Sequence, residues 1–321
     1  MNYPRLAVVI VTWNVRDYIV NCLRSLYDDL ARTPVQGEVW VVDNASTDGT
    51  VQAIRESFPP EVAPSLRVLE PGENLGFAAG NNLALRALGF PDGDDLPDFV
   101  FLLNPDTIVQ PGALAALLDG MAQTGAGLAG ARLVYGDGSF QHSAFEFPGL
   151  VQLAIDLFPV PGRLYESWLN GRYPREWYAG SEPFEVGHPL GATFLLRREV
   201  IKQTGLFDEQ FELYCEEIDW AMRIRAAGWR AICVPTAEVI HFGGVSTGQV
   251  RPQSAIRLWT ARLQLYAKHY PAWKVLLAKW LIRAGMNRRI KQVARDSSMD
   301  DDSRKALVDA YREIIRRTRR L

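Results

Sequence analysis

Three acidic side chains, Glu216, Glu217 and Asp219, fall within four residues at the start of a predicted helix. The helix dipole stabilises acids in a first turn, and Asp219 can pair with Arg223 one turn later. These effects explain Asp219 better than they explain two adjacent glutamates with aromatic and aliphatic neighbours. A carboxyl group in apolar surroundings holds its proton more tightly and can act as a general base. Glu216 and Glu217 are therefore candidate catalytic bases.

Asp106 and His241 have the chemistry of metal ligands. Asp106 follows an apolar run, and Pro105 turns the chain out of the sheet just before it. A carboxylate there suits a hard divalent cation, although it could instead cap the turn or the helix that Pro111 opens. His241 ends a strand-like run before two glycines, where a histidine is either structural or a ligand. Together the two residues predict a mixed oxygen and nitrogen site for Mn²⁺ or Mg²⁺.

An alternation of strands and helices must position these side chains. Apolar and β-branched runs predict strands at 6–11, 39–42, 66–69 and 99–103. Helical patterns follow them at 15–30, 50–58, 80–88 and after Pro111. This order predicts an α/β fold with a mostly parallel, doubly wound sheet. Ligands of such sheets bind beyond the carboxyl ends of the strands. The polar residues at those ends are Thr12, Asn14, Asp43, Asn44, Asn104 and Asp106.

Beyond residue 130 the pattern becomes irregular. Residues 140–185 are rich in aromatic residues, Pro and Gly, which predicts long loops or short helices. A strand is predicted at 192–196, a helix near 215–227 and another strand at 231–234.

Composition and missing motifs exclude several classes of protein. The 321-residue chain is 48% hydrophobic and 22% charged, as expected for a globular protein with a large core. Cys22, Cys215 and Cys233 lack CxxC spacing, which argues against disulfides or cysteine-bound zinc and fits a reducing compartment. We find no signal-peptide cleavage site and no apolar run of about 18 residues, so a cytoplasmic location is predicted. Glycine-rich dinucleotide and P-loop motifs and the serine-hydrolase elbow are also missing.

Six stretches of the chain resemble the motifs of family-2 glycosyltransferases with the GT-A fold, and most closely the bacterial rhamnosyltransferase-like subgroup. The resemblance covers about residues 5–250, and six motifs in the right order are far more specific than any one of them. The stretches are VVIVTWN, VVDNASTDGT, NLGFAAGNN, FLLNPDTIV, GATFLLRREV and LFDEQFELYCEEIDWAMRIRAAGWR with the later HFGG.

The resemblance implies a role for each matching residue. Asp43 would hydrogen-bond the nucleobase, Asp106 would bind the metal, and Glu217 would be the catalytic base. His241 would help to hold the metal or the diphosphate. The other nucleotide-sugar positions implied are Thr12, Asn14, Asn74, Gly76, Asn81, Asn104, Gly191 and Ala192.

Two positions depart from the family's pattern. Asn104 replaces the first acid of the Asp-x-Asp element, which leaves more of the metal binding to Asp106 and the diphosphate. Glu217 replaces the second acid of a Glu-Asp pair and is one methylene longer. The choice between Glu216 and Glu217 therefore stays open.

The family implies a metal-dependent, inverting transfer of a sugar from a nucleoside-diphosphate sugar to an acceptor hydroxyl. The subgroup suggests a rhamnosyl donor and a glycan or lipid-linked acceptor of the cell envelope, with residues 140–185 shaping the acceptor pocket. One alternative is a non-catalytic nucleotide-sugar-binding relative, which Asn104 and Glu217 keep open. Another is a nucleotidyltransferase, which would normally need a basic, glycine-rich loop where this chain has residues 9–16.

The charge distribution divides the chain into two parts. Residues 1–250 contain 17 Lys and Arg against 31 Asp and Glu, whereas residues 251–321 contain 18 against 6. We therefore predict a glycosyltransferase domain at 1–250 and a basic, amphipathic helical region at 251–321.

An apolar stripe runs along this basic region. It consists of Trp273, Leu276, Leu277, Trp280, Leu281 and Ala284. Such a helix can lie in a membrane interface, here through 272–295 at the inner face of the cell membrane. It can equally pack on the enzyme body or on a dimer mate, so an oligomer is compatible with the sequence. No nucleic-acid recognition module is present, and no nucleic-acid partner is expected.

Overall fold

The computed structural model describes residues 3–211, 213–243 and 251–320, with the side chain of Arg251 excepted. Its strands are β1 (Arg5–Thr12), β2 (Gln36–Asp43), β3 (Leu66–Leu69), β4 (Phe99–Leu103), β5 (Thr107–Val109), β6 (Leu128–Val134), β7 (Phe140–Gln141), β8 (Ala144–Phe145), β9 (Phe184–Val186), β10 (His188–Pro189), β11 (Thr193–Arg197) and β12 (Ala231–His241). Its helices are α1 (Arg16–Leu30), α2 (Thr50–Ser57), α3 (Gly76–Ala87), α4 (Ala113–Thr124), α5 (Leu150–Leu157), α6 (Gly162–Tyr165), α7 (Arg175–Tyr178), α8 (Arg198–Thr204), α9 (Glu216–Ala226), α10 (Arg251–His269), α11 (Ala272–Val293) and α12 (Asp301–Arg320), with a 3₁₀ turn at Trp168–Asn170.

Among the described residues, ten strands form one mixed sheet in the order β3-β2-β1-β4-β11-β6-β12-β5, with β7 beside β6 and β9 beside β12. Strands β3, β2, β1, β4, β6 and β12 run in one direction, and β11 inserts antiparallel between β4 and β6. The predicted parallel sheet is therefore present, with an antiparallel strand at its centre. Strands β8 and β10 form a separate short pair.

Helices cover both faces of the sheet, because both faces of its central strands are apolar. Successive residues of β1 alternate between two cores: Val8 and Ile10 pack in one, with α1 and α4, while Val9 and Val11 pack in the other, with α3 and α9. A strand buried on both faces is the expected form for a sheet whose crossovers are helices. The helices thus leave the carboxyl ends of β1, β2 and β4 at one open edge.

The long strand β12 brings distant residues to that edge. Its register against β6 shifts between Val234 and Glu238, and beyond this bulge it pairs with β5, so that His241 lies opposite Thr107. A bulge bends a strand and redirects the side chains that follow it. The two strand-like runs predicted at 231–234 and before His241 are therefore one strand.

The three C-terminal helices pack on the body through α5. Their shared core contains Leu153 and Leu157 of α5 together with Trp259, Ile282 and Ile314 from α10, α11 and α12. The break predicted at Pro271 separates α10 from α11. Residues 244–250, where the sequence places the domain boundary, lie outside the described residues, so the division itself stays a prediction. Among the described helices, none combines the length and the apolar character that crossing a membrane requires.

Candidate active site

The ends of β1 and β2 form a polar edge with unsatisfied atoms. Thr12 lies opposite Asp43 in the ladder, and both side chains are buried. Asp43 Oδ2 accepts a hydrogen bond from Ser46 N at 2.9 Å. Thr12 Oγ1, Asp43 Oδ1 and Asn44 Oδ1 are buried and have no hydrogen-bond partner among the described residues. A buried polar atom without a partner costs about 1–3 kcal/mol, so this cluster favours a polar ligand at the edge.

Loops on either side support this edge. Asn14, which has a φ of 50°, accepts a hydrogen bond from Thr47 N at 2.8 Å. Asn74 Oδ1 accepts from Gly76 N at 3.0 Å, and Gly76 O accepts from Asn44 Nδ2 at 3.0 Å. Four of the predicted residues thus lie at this edge, in contact or connected through one further residue: Thr12, Asn14, Asp43 and Gly76.

Asn81 is placed differently. Its side chain is buried and donates within α3, to Phe77 O at 2.9 Å. Helix α3 begins at Gly76, four residues before the predicted start, so its first turn reaches the polar edge.

Asp106 and His241 lie together just beyond β4. His241 Nε2 is 3.5 Å from Asp106 Oδ1 and 3.4 Å from Asn104 Nδ2, while its Nδ1 is 3.3 Å from Gln141 Oε1. Asn104 and Asp106 belong to one turn, whereas Gln141 and His241 come from other parts of the chain. Across the described residues, no three His, Cys, Asp or Glu side chains are grouped as a metal site. A cation at this pair would therefore need further oxygen ligands, such as those of a diphosphate.

Capping does not explain Asp106. The turn is closed by Thr107, whose Oγ1 donates to Asn104 O at 2.8 Å. The backbone N–H groups of Gly112 and Leu114, at the start of α4, donate to the carboxylate of Asp29. Both capping positions that the sequence left open for Asp106 are thus occupied by other side chains.

Two contacts connect this pair to the acidic helix start. Asn104 N donates to Ala192 O at 3.0 Å, because β11 runs antiparallel beside β4. A Cβ atom added to the neighbouring Gly191 would lie 3.4 Å from Cβ and Cγ of Glu217. Gly191 and Ala192, which lead into β11, therefore lie between the Asn104–Asp106 turn and Glu217.

The turn before α9 presents the two glutamates. Tyr214 and Cys215 have φ values of 73° and 67°, in the left-handed region that non-glycine residues rarely adopt. Such strain costs roughly 1–3 kcal/mol per residue and is concentrated at functional sites. Burial raises the pKa of Glu217, and burial together with the charge of Glu217 raises the pKa of Glu216 well above its usual range. The Oε2 atom of each has no hydrogen-bond partner among the described residues.

Glu217 lines a cavity of about 310 Å³, whereas Glu216 is not among the lining residues. Residues 145–172, the β10 region, the turn before α9 and helix α10 all contribute to its wall. The aromatic lining residues are Phe145, Tyr165, Tyr214 and Tyr266, and the charged ones besides Glu217 are Glu146, Asp156, Arg172 and Arg262. Burial lowers the pKa of the lining His188 to about 4, so its ring is neutral near neutral pH.

Asp219 joins α9 to α10. The predicted pair with Arg223 forms at 2.9 Å, but Asp219 also contacts Lys268 Nζ and His269 Nε2 at 2.7 Å each. Burial opposes ionisation of this carboxyl group, yet hydrogen bonds from His269 and Lys268 and the charge of Arg223 lower its pKa to about 2. Asp219 therefore connects α9 to α10, in contrast to the catalytic role considered for Glu216 and Glu217.

Sequence reasoning missed several of these residues. Asn44 was recognised as a polar residue at the end of a strand but was assigned no role of its own. Gln141, Arg262 and Tyr266 carry no local motif, and only the packing of the sheet and of α10 brings them to the site.

Comparison with known proteins agrees with this architecture. Residues 7–205 match the model of the family described as glycosyl transferase family 2. The N-acetylglucosaminyl-diphospho-decaprenol L-rhamnosyltransferase of Mycobacterium tuberculosis is 33% identical over 299 residues, which is 91% of this chain and 94% of that protein. Rhamnosyltransferase WbbL of Escherichia coli K12 is 25% identical over 53% of this chain and 62% of its own.

A solved structure shares the fold. The mannosyltransferase PcManGT from Pyrobaculum calidifontis, in complex with GDP-Man and Mn²⁺, superposes with a TM-score of 0.56 at 20% identity, over 99% of this chain and 85% of that one. The chain therefore belongs to glycosyl transferase family 2, and it is a glycosyltransferase with the GT-A fold.

Proposed function

We propose that this protein is a metal-dependent, inverting glycosyltransferase that moves a sugar from a nucleoside-diphosphate donor to an acceptor bound in the cavity beside Glu217. One observation carries the proposal: the unbroken path from Asp106 and His241, through the start of β11, to Glu217 at the cavity wall. A donor diphosphate at the first end and an acceptor hydroxyl at the second would meet between them.

The nucleotide belongs at the edge formed by β1 and β2. Its base would satisfy the unpaired oxygens of Thr12, Asp43 and Asn44, which lie buried beside one another. Asn14, Asn74 and Gly76 hold the surrounding loops in place. The archaeal mannosyltransferase was solved with GDP-Man, which supports a nucleotide-sugar donor here.

Asp106 and His241 would hold the divalent cation, with Asn104 beside them. One buried carboxylate and one imidazole form a donor set that suits Mn²⁺ or Mg²⁺, and the solved relative contains Mn²⁺. When bound, the cation neutralises the negative charge that develops on the leaving diphosphate.

Glu217 would take the proton of the acceptor hydroxyl. Its Oε2 atom has no hydrogen-bond partner in the described part of the chain and its pKa is raised, so it holds a transferred proton better than an exposed glutamate does. Attack then occurs on the face of the sugar opposite the diphosphate, which inverts the anomeric centre in one displacement. Activity should rise with pH through the raised pKa, because only the ionised form is a base.

The name of the mycobacterial relative supports a proposal for the donor sugar and the acceptor. That protein is named as a rhamnosyltransferase acting on N-acetylglucosaminyl-diphospho-decaprenol, and it matches this chain over nearly its whole length. We infer a rhamnosyl donor and a lipid-linked acceptor sugar of cell-envelope synthesis. Aromatic side chains with a few charged groups, as in this cavity, suit a sugar ring. A cytoplasmic location at the inner face of the membrane would be consistent with such an acceptor.

The test measures nucleoside-diphosphate release from a panel of donors with Mn²⁺, with and without acceptor. Glu217→Gln is expected to reduce kcat by about 10²–10⁴ while donor binding, measured by calorimetry, is retained. Glu216→Gln is the matched control and is expected to lose much less, because Glu216 does not line the cavity. Normal turnover by Glu217→Gln would refute the base assignment. Release of pyrophosphate would instead indicate a nucleotidyltransferase, and no product with any donor would indicate a non-catalytic binder.

A further inference from the structure

Helix α11 has two apolar faces, and among the described residues one is packed against the body of the protein while the other is exposed. Ala278, Ile282, Gly285 and Met286 are buried against the rest of the chain. On the other side, four large side chains remain exposed. They are Trp273 at 56%, Leu276 at 66%, Leu277 at 46% and Trp280 at 63%. These four residues, spaced i, i+3, i+4 and i+7, are called the α11 face below.

Most of the apolar stripe predicted from the sequence is therefore not the packing surface of the helix. Residues at this spacing lie on one side of a helix, so the α11 face is a continuous apolar strip rather than scattered exposure. Single exposed apolar residues are ordinary, whereas a contiguous strip marks an interaction surface.

The α11 face begins beside the cavity that contains Glu217. Tyr270, just before α11, donates a hydrogen bond to O of the cavity-lining Pro148. Its ring lies 4.9 Å from that of Tyr266, another lining residue, and Lys274 Nζ lies 5.1 Å from the Tyr270 ring. Trp273 thus follows Tyr270, which contacts the cavity wall, by three positions in the chain.

Positive charge surrounds this strip. Helix α11 contains no acidic residue, and its basic residues are Lys274, Lys279, Arg283, Arg288, Arg289 and Lys291. Three of the arginines are held inward: Arg283 by Thr318, Arg288 by Leu157 O and Arg289 by Asp156 O. Lys274 and Lys279 flank the α11 face on its two sides, by their helical positions.

The apolar strip and its flanking lysines together distinguish between the possible partners of the α11 face. A second copy, related by twofold symmetry, would place the same lysines against each other, with no acid on either helix to pair with them. An anionic lipid surface offers the opposite charge, and tryptophan side chains favour the boundary between headgroups and acyl chains. We propose that the α11 face docks on a bilayer that contains anionic lipid, with Lys274 and Lys279 at the headgroups.

Docking in this way has a consequence for the substrate, and this step rests on the proposed function. The wall of the cavity would lie beside the lipid surface, since Pro148 and Tyr270 connect it to the start of α11. An acceptor whose sugar is linked to a membrane-embedded lipid could then reach Glu217 without leaving the bilayer.

The docking itself is tested by flotation of the full chain with phosphatidylcholine vesicles, with and without phosphatidylglycerol. Wild-type protein is expected to float with the anionic vesicles. Replacing all four residues of the α11 face by Ser should weaken partitioning by about a hundredfold or more. Lys274→Gln and Lys279→Gln should each weaken it by about fivefold on anionic vesicles only. The matched control, Tyr3→Ser with Val62→Ser, also removes exposed apolar side chains and should float like wild type.

Three results would overturn the docking proposal. The wild-type protein could fail to float, the fourfold Ser variant could float like wild type, or sedimentation could show a dimer that this variant abolishes while lipid binding is unchanged. Because all four side chains are exposed, the variant should keep the wild-type circular dichroism spectrum.

A second assay separates docking from catalysis. N-acetylglucosaminyl-diphospho-polyprenol embedded in vesicles is compared with the same headgroup on a short, water-soluble chain. The fourfold Ser variant should lose activity at least about tenfold on the embedded acceptor and remain near wild type on the soluble one. Equal losses on both would refute delivery from the membrane. No transfer by wild type to either acceptor would refute the proposed function, and the flotation result would stand unaffected.

Discussion

Replacing Asp219 by Asn tests whether the contact between α9 and α10 holds the active site together. The carboxylate is fully buried and contacts Arg223, Lys268 and His269. Asn keeps the volume of the side chain but removes its charge, so Arg223 and Lys268 lose a shared counter-ion and His269 loses the carboxylate it contacts. The helix that carries Glu217 would then be held less firmly against the one that carries Arg262 and Tyr266.

The magnitude follows from the pKa of the carboxyl group. Its pKa falls from 3.8 to about 2 in the folded protein, and one pKa unit corresponds to about 1.4 kcal/mol. Ionised Asp219 therefore contributes about 2.5 kcal/mol to the free energy of unfolding. Removing one partner of a buried ion pair costs about 3–5 kcal/mol in other proteins, so we expect a loss of about 3 kcal/mol.

The lowered pKa of Asp219 also gives the direction in which its contribution to stability changes with pH. Because the folded pKa is depressed, the contribution is fully present above the unfolded value of 3.8 and is lost as pH falls toward 2. The difference in stability between wild type and Asp219→Asn should therefore shrink over this range. Transfer activity of the variant should fall about tenfold or more at neutral pH, since small displacements of a positioned base are costly.

Urea unfolding followed by circular dichroism measures the stability change, and acceptor-dependent release of nucleoside diphosphate measures the activity. Asp309→Asn is the matched control: it breaks the exposed pair with Arg312 and should change stability by less than about 1 kcal/mol. An unfolding midpoint for Asp219→Asn equal to that of wild type would refute the reasoning. So would a stability difference that does not depend on pH below 3.8.

Two further predictions concern the neighbours of Glu217, the proposed base. Burial raises the pKa of Glu216, so the folded state binds its proton more tightly than the unfolded state and stability falls as pH rises above the usual range of a glutamate. Glu216→Gln should remove this loss, so its melting temperature relative to wild type should increase with pH; a constant difference would contradict the burial argument. At Gly191 an added Cβ would only touch Glu217, at 3.4 Å, so Gly191→Ala should retain activity within a few-fold. Gly191→Leu should reduce kcat about a hundredfold while donor binding, measured by calorimetry, persists; equal activity of the two variants would show that this contact does not position Glu217.

Strand prediction was accurate where a local pattern is sufficient. β3 and β4 have the predicted bounds, and β1 and β2 extend beyond theirs by one to three residues at each end. β1 and β4 are buried on both faces, so an uninterrupted apolar run identifies them. Prediction was poorer for β5 and β6, which were not identified. It was also poorer for α3, which begins at Gly76 rather than at the predicted residue 80.

The direction of β11 could not have been read from its residues. TFLLR is apolar in the same way as the parallel strands, yet it runs antiparallel between β4 and β6. Strand direction depends on how the connecting segment crosses the sheet, which is a property of the whole chain. Because of that direction, the start of β11 lies next to Asn104, and Gly191 lies next to Glu217.

The sequence by itself determined the chemical groups of this protein: acids and an imidazole at strand and helix ends, an α/β alternation, and a basic C-terminal helix with a tryptophan-containing stripe. Only the tertiary structure decided how they combine. It placed His241 beside Asp106, put Glu217 rather than Glu216 at the cavity, and left the α11 face exposed. Local propensity depends on neighbours a few residues away, whereas these relations depend on packing between segments that are distant in the chain, such as those of Asn104 and His241, 137 positions apart.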